Sequence, residues 1–230
     1  MRNHPQAVML FAAGFGTRMG ALTADRPKPM IPVAGRPLMD HALNLVADAG
    51  IARKVVNLHY KAEVLMAHLA NEDVTFSYEA PDILETGGGL RHALPLLGEG
   101  PVFTLNTDAI WNGPNPLELA RDAWAPEQMD ALLVCIAPQS AIGHTGQGDF
   151  IRADDGRLSR GPGLIFGGAQ IIKTDRLSEI PDKVFSLNRL WDRLLTKGRV
   201  FGLIYPGQWC DVGRPEGIAL AERMIGYPNV

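Results

Sequence analysis

The chain has 230 residues, 46% of them hydrophobic, with 22 basic and 25 acidic residues for a formal net charge of −3. This length and composition fit one large α/β domain, and we expect residues 1–230 to form a single domain. The acidic balance argues against a nucleic-acid or membrane-binding surface, whereas a small anionic ligand stays compatible with it. No apolar run approaches the roughly 20 residues that cross a bilayer, so we expect a cytoplasmic protein.

The first predicted element is an apolar strand, Ala7 to Ala13, which leads directly into a glycine loop that contains Gly14, Gly16 and Arg18. Glycines let main-chain N–H groups approach oxyanions, and an arginine adds a forked cation that stays protonated. The pattern predicts a phosphate-binding loop. By itself it is equally typical of a tight turn between a strand and a helix.

The next segment places Lys28 between two prolines, in a stretch of residues 27–37 that holds four prolines in all. Prolines restrict their own φ and the residue before them, which predicts a stiff and largely extended backbone. A rigid lysine close to a glycine loop indicates a second phosphate contact. A solvated linker residue is the alternative interpretation.

Helices and strands then alternate along the chain. The predicted elements are a helix over 37–49, a strand over 54–58, a helix over 61–70, a strand over 74–78, a helix over 89–97 and a strand over 102–105. Such alternation predicts an α/β fold with a mostly parallel sheet that helices cover on both faces.

A run of three glycines, Gly87 to Gly89, precedes the third predicted helix. Consecutive glycines cost backbone entropy without adding core, so we expect a close approach of the main chain here. Thr86 is a candidate cap of that helix, and exposed N–H groups of the glycines are candidates for contacts with the edge of a base. A flexible turn is the alternative.

An acidic residue, Asp108, follows the strand over 102–105, and it falls at the carboxyl edge of the predicted parallel sheet. Open α/β sheets bind their ligands at this edge, and a carboxylate there is suited to Mg²⁺. A second acidic residue, Asp211, precedes a helix that begins with Pro215. Each aspartate can instead cap a local turn or helix, and the pattern alone does not show that the two meet.

The second half of the chain is less regular. Its predicted elements are a helix over 117–124, a strand over 131–137, a hairpin turn at 155–156, a strand over 164–172, a helix over 187–196, a strand over 200–204 and a helix over 215–225. We expect the glycine-rich hairpin to lie over the edge of the sheet. Cys135 and Cys210 lack the spacing of a metal site, which indicates two buried thiols in a reducing compartment.

Three motifs together, over residues 12–19, 27–29 and 209–213, resemble the sugar-1-phosphate nucleotidylyltransferases, and they follow the family's order across nearly the whole chain. The resemblance implies a Rossmann-like three-layer α/β/α fold with a mixed, mostly parallel central sheet. Residues 85–89 and 144–150 look most like the uridylyltransferases of bacterial cell-wall sugar recycling. The implied substrates are UTP and a sugar 1-phosphate, the implied cofactor is Mg²⁺, and we expect a monomer.

The same resemblance implies roles for individual residues. The implied nucleotide-binding residues are Ala13, Gly14, Gly16, Thr17, Arg18, Lys28, Thr86 and Gly87. The implied sugar or sugar-phosphate contacts are Asn106, Asp149 and Gly168. Asp108 and Asp211 are the implied Mg²⁺ ligands, and Arg18, Lys28 and Asp108 are the implied catalytic residues.

One position departs from the family pattern, because Thr107 stands where the metal strand usually has glycine. We expect a cost of about 1 kcal/mol if this threonine takes a positive φ. Three alternative functions remain open. A nicotinamide-dependent oxidoreductase would need a third glycine where the chain has Met19, a binding-only module would need no metal carboxylates, and a relative such as a mannose-1-phosphate guanylyltransferase would use another nucleotide.

Overall fold

The computed structural model describes residues 3–227. Within that range the α-helices are α1 (Leu38–Asp48), α2 (Ala62–His68), α3 (Glu85–Leu97), α4 (Pro116–Ala123), α5 (Asn188–Leu195) and α6 (Glu216–Met224). The strands are β1 (Ala7–Phe11), β2 (Pro32–Val33), β3 (Arg36–Pro37), β4 (Arg53–Leu58), β5 (Thr75–Tyr78), β6 (Val102–Asn106), β7 (Ala109–Asn112), β8 (Ala131–Ile136), β9 (Ala141–Ile142), β10 (Phe150–Arg152), β11 (Leu158–Arg160), β12 (Ile165–Ile172), β13 (Val200–Ile204) and β14 (Gln208–Asp211).

Seven strands form the central sheet, in the order β13-β8-β12-β6-β1-β4-β5. Neighbouring strands are parallel except at β12, which pairs antiparallel with both β6 and β8. The predicted mixed and mostly parallel sheet is confirmed. The carboxyl ends of β1, β4, β5 and β6 therefore open onto one edge of the sheet.

Helices cover both faces of this sheet, because successive side chains of a strand point to opposite faces. Met9 of β1 lies in a buried cluster with Leu90 of α3, and the next residue, Leu10, lies in a second cluster with Met39 of α1 and Leu117 of α4. Burying a side chain of this size contributes about 1.5–3 kcal/mol, so both faces are well stabilised. The result is the three-layer α/β/α arrangement expected from the sequence.

A second, small sheet was not predicted, and it has the order β7-β14-β9. It begins directly after the central strand β6, and its strands β7 and β14 pair antiparallel with Asp211 opposite Ala109. Helix α6 packs against the same sheet. This small sheet brings the motif near the end of the chain back to the carboxyl end of β6.

Helix α3 begins at Glu85, earlier than the predicted start at Gly89. The glycines lower helix propensity by up to about 1 kcal/mol each, which made this stretch look like a turn. Tertiary packing explains why glycine stands there. A Cβ on Gly87 would lie only 2.4 Å from the ring of Phe185, so the first turn of α3 packs against its neighbour at backbone distance.

The segment around Lys28 is also different from the prediction of an extended backbone. Lys28–Met30 form a short 3-10 helix, in which the amide of Ile31 donates to the carbonyl of Lys28 at 3.0 Å. Proline is tolerated in the first turn of a helix because the amide group it lacks has no partner there. Pro29 therefore lies in a turn, whereas Pro32 and Pro37 lie in the short strands β2 and β3, so the extended backbone is confirmed for only part of the segment.

The hairpin predicted around Gly156 is confirmed, since β10 and β11 pair antiparallel and Gly156 has a φ of 91°. It contacts the edge strand β13 through a bridge between Arg157 and Phe201. Both cysteines are buried as predicted, and burial raises the pKa of each thiol to about 12. Among the described residues, no helix is long and apolar enough to span a membrane.

Candidate functional site

A cavity of about 300 Å³ opens at the carboxyl edge of the central sheet, between the glycine loop and the first turn of α3. We call it the loop cavity. The residues predicted for nucleotide or metal contacts that line it are Ala13, Gly14, Gly16, Thr17, Arg18, Lys28, Thr86 and Asp108, and Asn106, predicted as a sugar-phosphate contact, lines it as well. The location agrees with the rule that open α/β sheets bind ligands beyond the carboxyl ends of their strands.

The glycine loop leads into a 3-10 helix over Thr17–Thr23, and Gly16 precedes it with a φ of 63°. The carbonyl of Gly16 accepts from the amide of Met19 at 2.8 Å and from the hydroxyl of Thr23 at 3.3 Å. A Cβ at Gly16 would lie 2.9 Å from the Cβ of Lys28. Glycine is therefore required at this position for two reasons, the left-handed backbone conformation and the close approach of the lysine segment.

Lys28 reaches the carboxylate of Asp108, with 2.6 Å between Nζ and Oδ2. The two residues are 80 positions apart in the sequence. The lysine side chain is only 11% exposed, so this charge pair is well shielded from water on the lysine side. The solvated-linker interpretation of Lys28 is wrong.

The two predicted metal ligands lie close together, which the sequence could not show. The amide of Val212 donates to the carbonyl of Asp108 at 2.9 Å, next to the β7–β14 pairing that ends at Asp211. Burial raises the pKa of the Asp211 carboxyl, and the negative charge of Asp108 raises it further, while Lys28 and Arg18 oppose the shift. Two carboxylates and two cations thus act on one another at this edge.

Gly213 explains why the last motif contains a glycine. A Cβ there would lie 2.8 Å from Oδ1 of Asp211 and 3.2 Å from Nη1 of Arg18. Gly213 also lines the loop cavity. The missing side chain leaves space between an acidic group and a cation, where a larger residue would push both away.

The residues at the start of α3 contribute differently from the prediction. Thr86 lies inside the first turn of α3 and does not cap it; its hydroxyl accepts from the amide of Leu187 at 2.9 Å. The amides of Gly87 and Gly88 donate to the carbonyl of Phe185 at 2.9 and 3.0 Å. The expectation of exposed glycine N–H groups is therefore wrong, and Gly87 lies buried beside a cavity that Thr86 lines.

Two buried polar residues of the loop cavity escaped the sequence analysis. Asn57 and Glu79 are 4% and 1% exposed. The side-chain amide of Asn57 donates to one carboxylate oxygen of Glu79 at 2.7 Å, and its side-chain oxygen accepts from the backbone amide of Ala12 at 2.7 Å. The other oxygen of Glu79 accepts from the amide of Leu84 at 2.7 Å. Their place at the ends of β4 and β5 is the same signal that identified Asp108.

Thr107 does not take a positive φ, so the expected backbone strain is absent. Its side chain is buried, and its hydroxyl donates to the carbonyl of Phe11 at 2.7 Å. The threonine therefore joins the end of β6, which leads to Asp108, to the end of β1, which leads into the glycine loop.

A second cavity of about 250 Å³ adjoins the loop cavity and shares Phe11, Thr86 and Asn106 with it. We call it the side cavity. Its remaining lining residues are Thr104, Asp149, Phe166, Gln170, Ser186, Leu187, Asn188 and Trp191. Three aromatic side chains and several amide groups in one cavity suit a ligand with both apolar faces and hydroxyl groups.

The predicted sugar contacts divide between these places. Asp149 lines the side cavity, where Oδ2 accepts from the amide of Phe166 at 2.9 Å, and Asn106 lines both cavities. Gly168 lines neither of them. It has a φ of 93° in an irregular part of β12, and a Cβ there would lie 2.8 Å from that of Asn106. Gly168 thus lies beside Asn106 and lets it pack closely.

Residues 8–152 match the model of the MobA-like NTP transferase domain. The chain is 39% identical to the N-acetylmuramate alpha-1-phosphate uridylyltransferase of Caulobacter vibrioides, over 98% of this chain and 99% of that protein. It is 29% identical to the enzyme of the same name from Neisseria meningitidis serogroup B, over 95% and 97% of the two chains.

Solved structures share the fold. HddC from Yersinia pseudotuberculosis superposes with a TM-score of 0.76 at 22% identity, covering 95% of this chain and 99% of that chain. A UDP-glucose pyrophosphorylase complexed with UDP-glucose gives a TM-score of 0.77 at 18% identity, covering 96% and 98%. With the glycine loop and the family match together, the chain belongs to the nucleotidyltransferases that contain a MobA-like NTP transferase domain.

Proposed function

We propose that the protein transfers the uridylyl group of UTP to a sugar 1-phosphate, N-acetylmuramate α-1-phosphate, and releases pyrophosphate. The observation that carries this proposal is the convergence of two cations and two carboxylates: Arg18, Lys28 and Asp108 line the loop cavity, and Asp211 lies beside them. The substrates are those named for a relative whose alignment covers 98% of this chain at 39% identity. In a bacterium, such a product would serve the recycling of cell-wall sugars.

In the proposed reaction, an oxygen of the sugar phosphate attacks the α-phosphorus of UTP. The new bond joins that oxygen to phosphorus, the bond to the bridging oxygen breaks, and pyrophosphate leaves with its electron pair. Both reactants are anions, so the cations of Arg18 and Lys28 offset their repulsion and hold the reacting oxygens in line. The attacking phosphate is already ionised, and no general base is needed.

The donor set at this edge fits Mg²⁺, which prefers carboxylate oxygens and leaves several positions to water and phosphate. We propose Asp108 and Asp211 as its protein ligands. Their carboxylates act on each other through space, and the pKa of Asp211 is raised because partial burial and the neighbouring charge of Asp108 disfavour its ionised form. A bound Mg²⁺ would neutralise that charge and the charge on phosphate oxygens.

We assign the sugar to the side cavity. Trp191 and Phe166 offer apolar surfaces to the ring, and Asn106, Asn188 and Asp149 offer hydrogen-bonding groups. Because the side cavity shares Asn106 with the loop cavity, a sugar there has its phosphate beside the nucleotide phosphates.

Pyrophosphate release tests the proposal. Four nucleoside triphosphates are combined with the 1-phosphates of N-acetylmuramate, N-acetylglucosamine, glucose and mannose, in the presence of Mg²⁺. We expect the highest kcat/KM with UTP and N-acetylmuramate 1-phosphate. A preference for GTP with mannose 1-phosphate would contradict the assigned substrates. No pyrophosphate with any pair would contradict the reaction and favour a module that only binds nucleotides.

A further inference from the structure

The charge of the side cavity conflicts with the substrate assigned to it. Among its lining residues the one ionisable group is the carboxylate of Asp149. N-acetylmuramate differs from N-acetylglucosamine by a lactyl ether that carries a carboxylate, so the sugar brings a second negative charge toward the first. Like charges at short range repel, and a cation next to the side cavity is needed to favour the acidic sugar.

Arg160, the last residue of β11, is such a cation. Its Nη2 donates to the side-chain oxygen of Asn188 at 2.8 Å, and its guanidinium lies 5.7 Å from the ring centroid of Trp191. Both neighbours line the side cavity. The same guanidinium is 4.7 Å from the ring centroid of Phe150, so two neighbouring rings hold it at the rim.

Hydrogen bonds fix the orientation of the Arg160 guanidinium, and one of its terminal nitrogens stays available to a ligand. Nε and Nη2 donate to the same oxygen of Asp192 at 3.0 and 2.8 Å. Within residues 3–227, Nη1 makes no hydrogen bond, and the side chain is 38% exposed. A positioned guanidinium with a free donor is well suited to a carboxylate, because little side-chain freedom is lost on binding.

We propose that Arg160, held by Asp192 and Asn188, binds the carboxylate of an acidic hexose 1-phosphate and selects it over the neutral N-acetylhexosamine. The inference rests on the proposed function, and it assigns sugar specificity to the β10–β11 hairpin. The alternative role for Arg160 is an exposed ion pair with Asp192 that only stabilises the hairpin.

The test compares kcat/KM for N-acetylmuramate 1-phosphate with kcat/KM for N-acetylglucosamine 1-phosphate, measured as pyrophosphate release from UTP. In Arg160→Gln we expect the ratio of the two values to fall roughly 10- to 100-fold, the effect of losing one hydrogen-bonded charge contact. Arg160→Lys keeps the charge without the fork, and we expect an intermediate ratio.

Asp192→Asn is the matched control, because it removes the charge of the ion pair while its amide oxygen can still accept from Arg160, which keeps the cation in place. The inference predicts that this variant does not lower the ratio. An unchanged ratio in Arg160→Gln, or an equal fall in Asp192→Asn, contradicts it. So does a wild-type enzyme that is active with UTP and indifferent to the lactyl group. A wild-type enzyme that prefers GTP with mannose 1-phosphate, or that releases no pyrophosphate, contradicts the proposed function and the inference with it.

Discussion

Asp108 supplies a negative charge that an amide of the same size cannot replace. Its carboxylate contacts Nζ of Lys28 at 2.6 Å and raises the pKa of Asp211 through space. We expect Asp108→Asn to lower kcat by roughly 100-fold or more, since a proposed metal ligand loses its charge, while the fold persists because little volume changes. Steady-state pyrophosphate release and thermal unfolding measure the two effects.

Asp48→Asn is a suitable control for that variant, because Asp48 is the exposed last residue of α1. It should leave both kcat and the unfolding temperature unchanged. Near-normal turnover of Asp108→Asn in the presence of Mg²⁺ would remove this residue from the mechanism.

Single residues were predictable where the chemistry requires a particular residue type next to glycine or at the end of a strand. Arg18, Lys28 and Asp108 line the loop cavity as expected. Asn57 and Glu79 also lie at the ends of strands, but that position alone did not show that they pair. Their pairing depends on strands that are adjacent in the sheet, and that adjacency is a property of the fold and not of either local sequence.

At the scale of elements, the glycines of α3 show packing overriding helix propensity. Alanine is about 1 kcal/mol better than glycine inside a helix, so propensity alone predicts that Gly88→Ala stabilises the protein. A Cβ there would, however, lie 2.5 Å from the carbonyl oxygen of Lys183, which belongs to a backbone that cannot rotate away. We expect Gly88→Ala to lower the free energy of unfolding by about 1–3 kcal/mol, measured by urea denaturation.

Gly14→Ala controls for the general effect of adding a methyl group, since nothing lies within 4 Å of a Cβ at that position. Its free energy of unfolding should stay close to that of the wild type. A stabilised Gly88→Ala would mean that propensity decides at α3 and that the close contact relaxes without cost.

Long periodic elements were predicted from the sequence, but β7 and β14 were not. Each has four residues, too few for an alternating pattern to stand out from the surrounding loops. These two strands bring Asp211 to Asp108, so the meeting of the carboxylates could not be derived from spacing. The family resemblance implied it, and the small sheet supplies the physical cause.

At the scale of the whole molecule, a cluster of charged residues lies at the edge of the central sheet opposite the loop cavity. Strand β12 runs against its neighbours, so its last residues lie at the amino edge, away from the loop cavity. There Asp130 accepts from Lys173 at 3.0 Å and pairs with Arg199 at 2.9 Å, joining the ends of three strands. Alternation along the sequence predicted a mostly parallel sheet but could not show the reversal of β12.

That cluster gives a prediction about pH. Burial alone would raise the pKa of the Asp130 carboxyl, but hydrogen bonds and charge from Arg199 and Lys173 outweigh it and lower the pKa below the ordinary 3.8. Because this pKa is lower in the folded state, the carboxylate stabilises the protein at every pH above the ordinary pKa. That stabilisation is lost as the pH falls through the folded-state pKa. We expect Asp130→Asn to be less stable by about 1–3 kcal/mol at pH 7.

Urea unfolding of both proteins between pH 7 and pH 3 measures this difference, which should shrink below about pH 4. The kcat of Asp130→Asn should equal that of the wild type, because the cluster is at the edge opposite the site. Asp155→Asn, which breaks an exposed ion pair with Arg157, should change stability far less. Equal stability at pH 7, or a difference that grows on acidification, would contradict the prediction.

The central claim is that Asp108 and Asp211 hold one divalent cation beside Arg18 and Lys28. A crystal structure with Mn²⁺ and a non-hydrolysable UTP analogue tests it most directly, because anomalous scattering locates manganese independently of the model. We predict one anomalous peak bound by an oxygen of each carboxylate and by a phosphate oxygen. A peak held by the nucleotide alone, with both carboxylates turned away from it, would contradict the account.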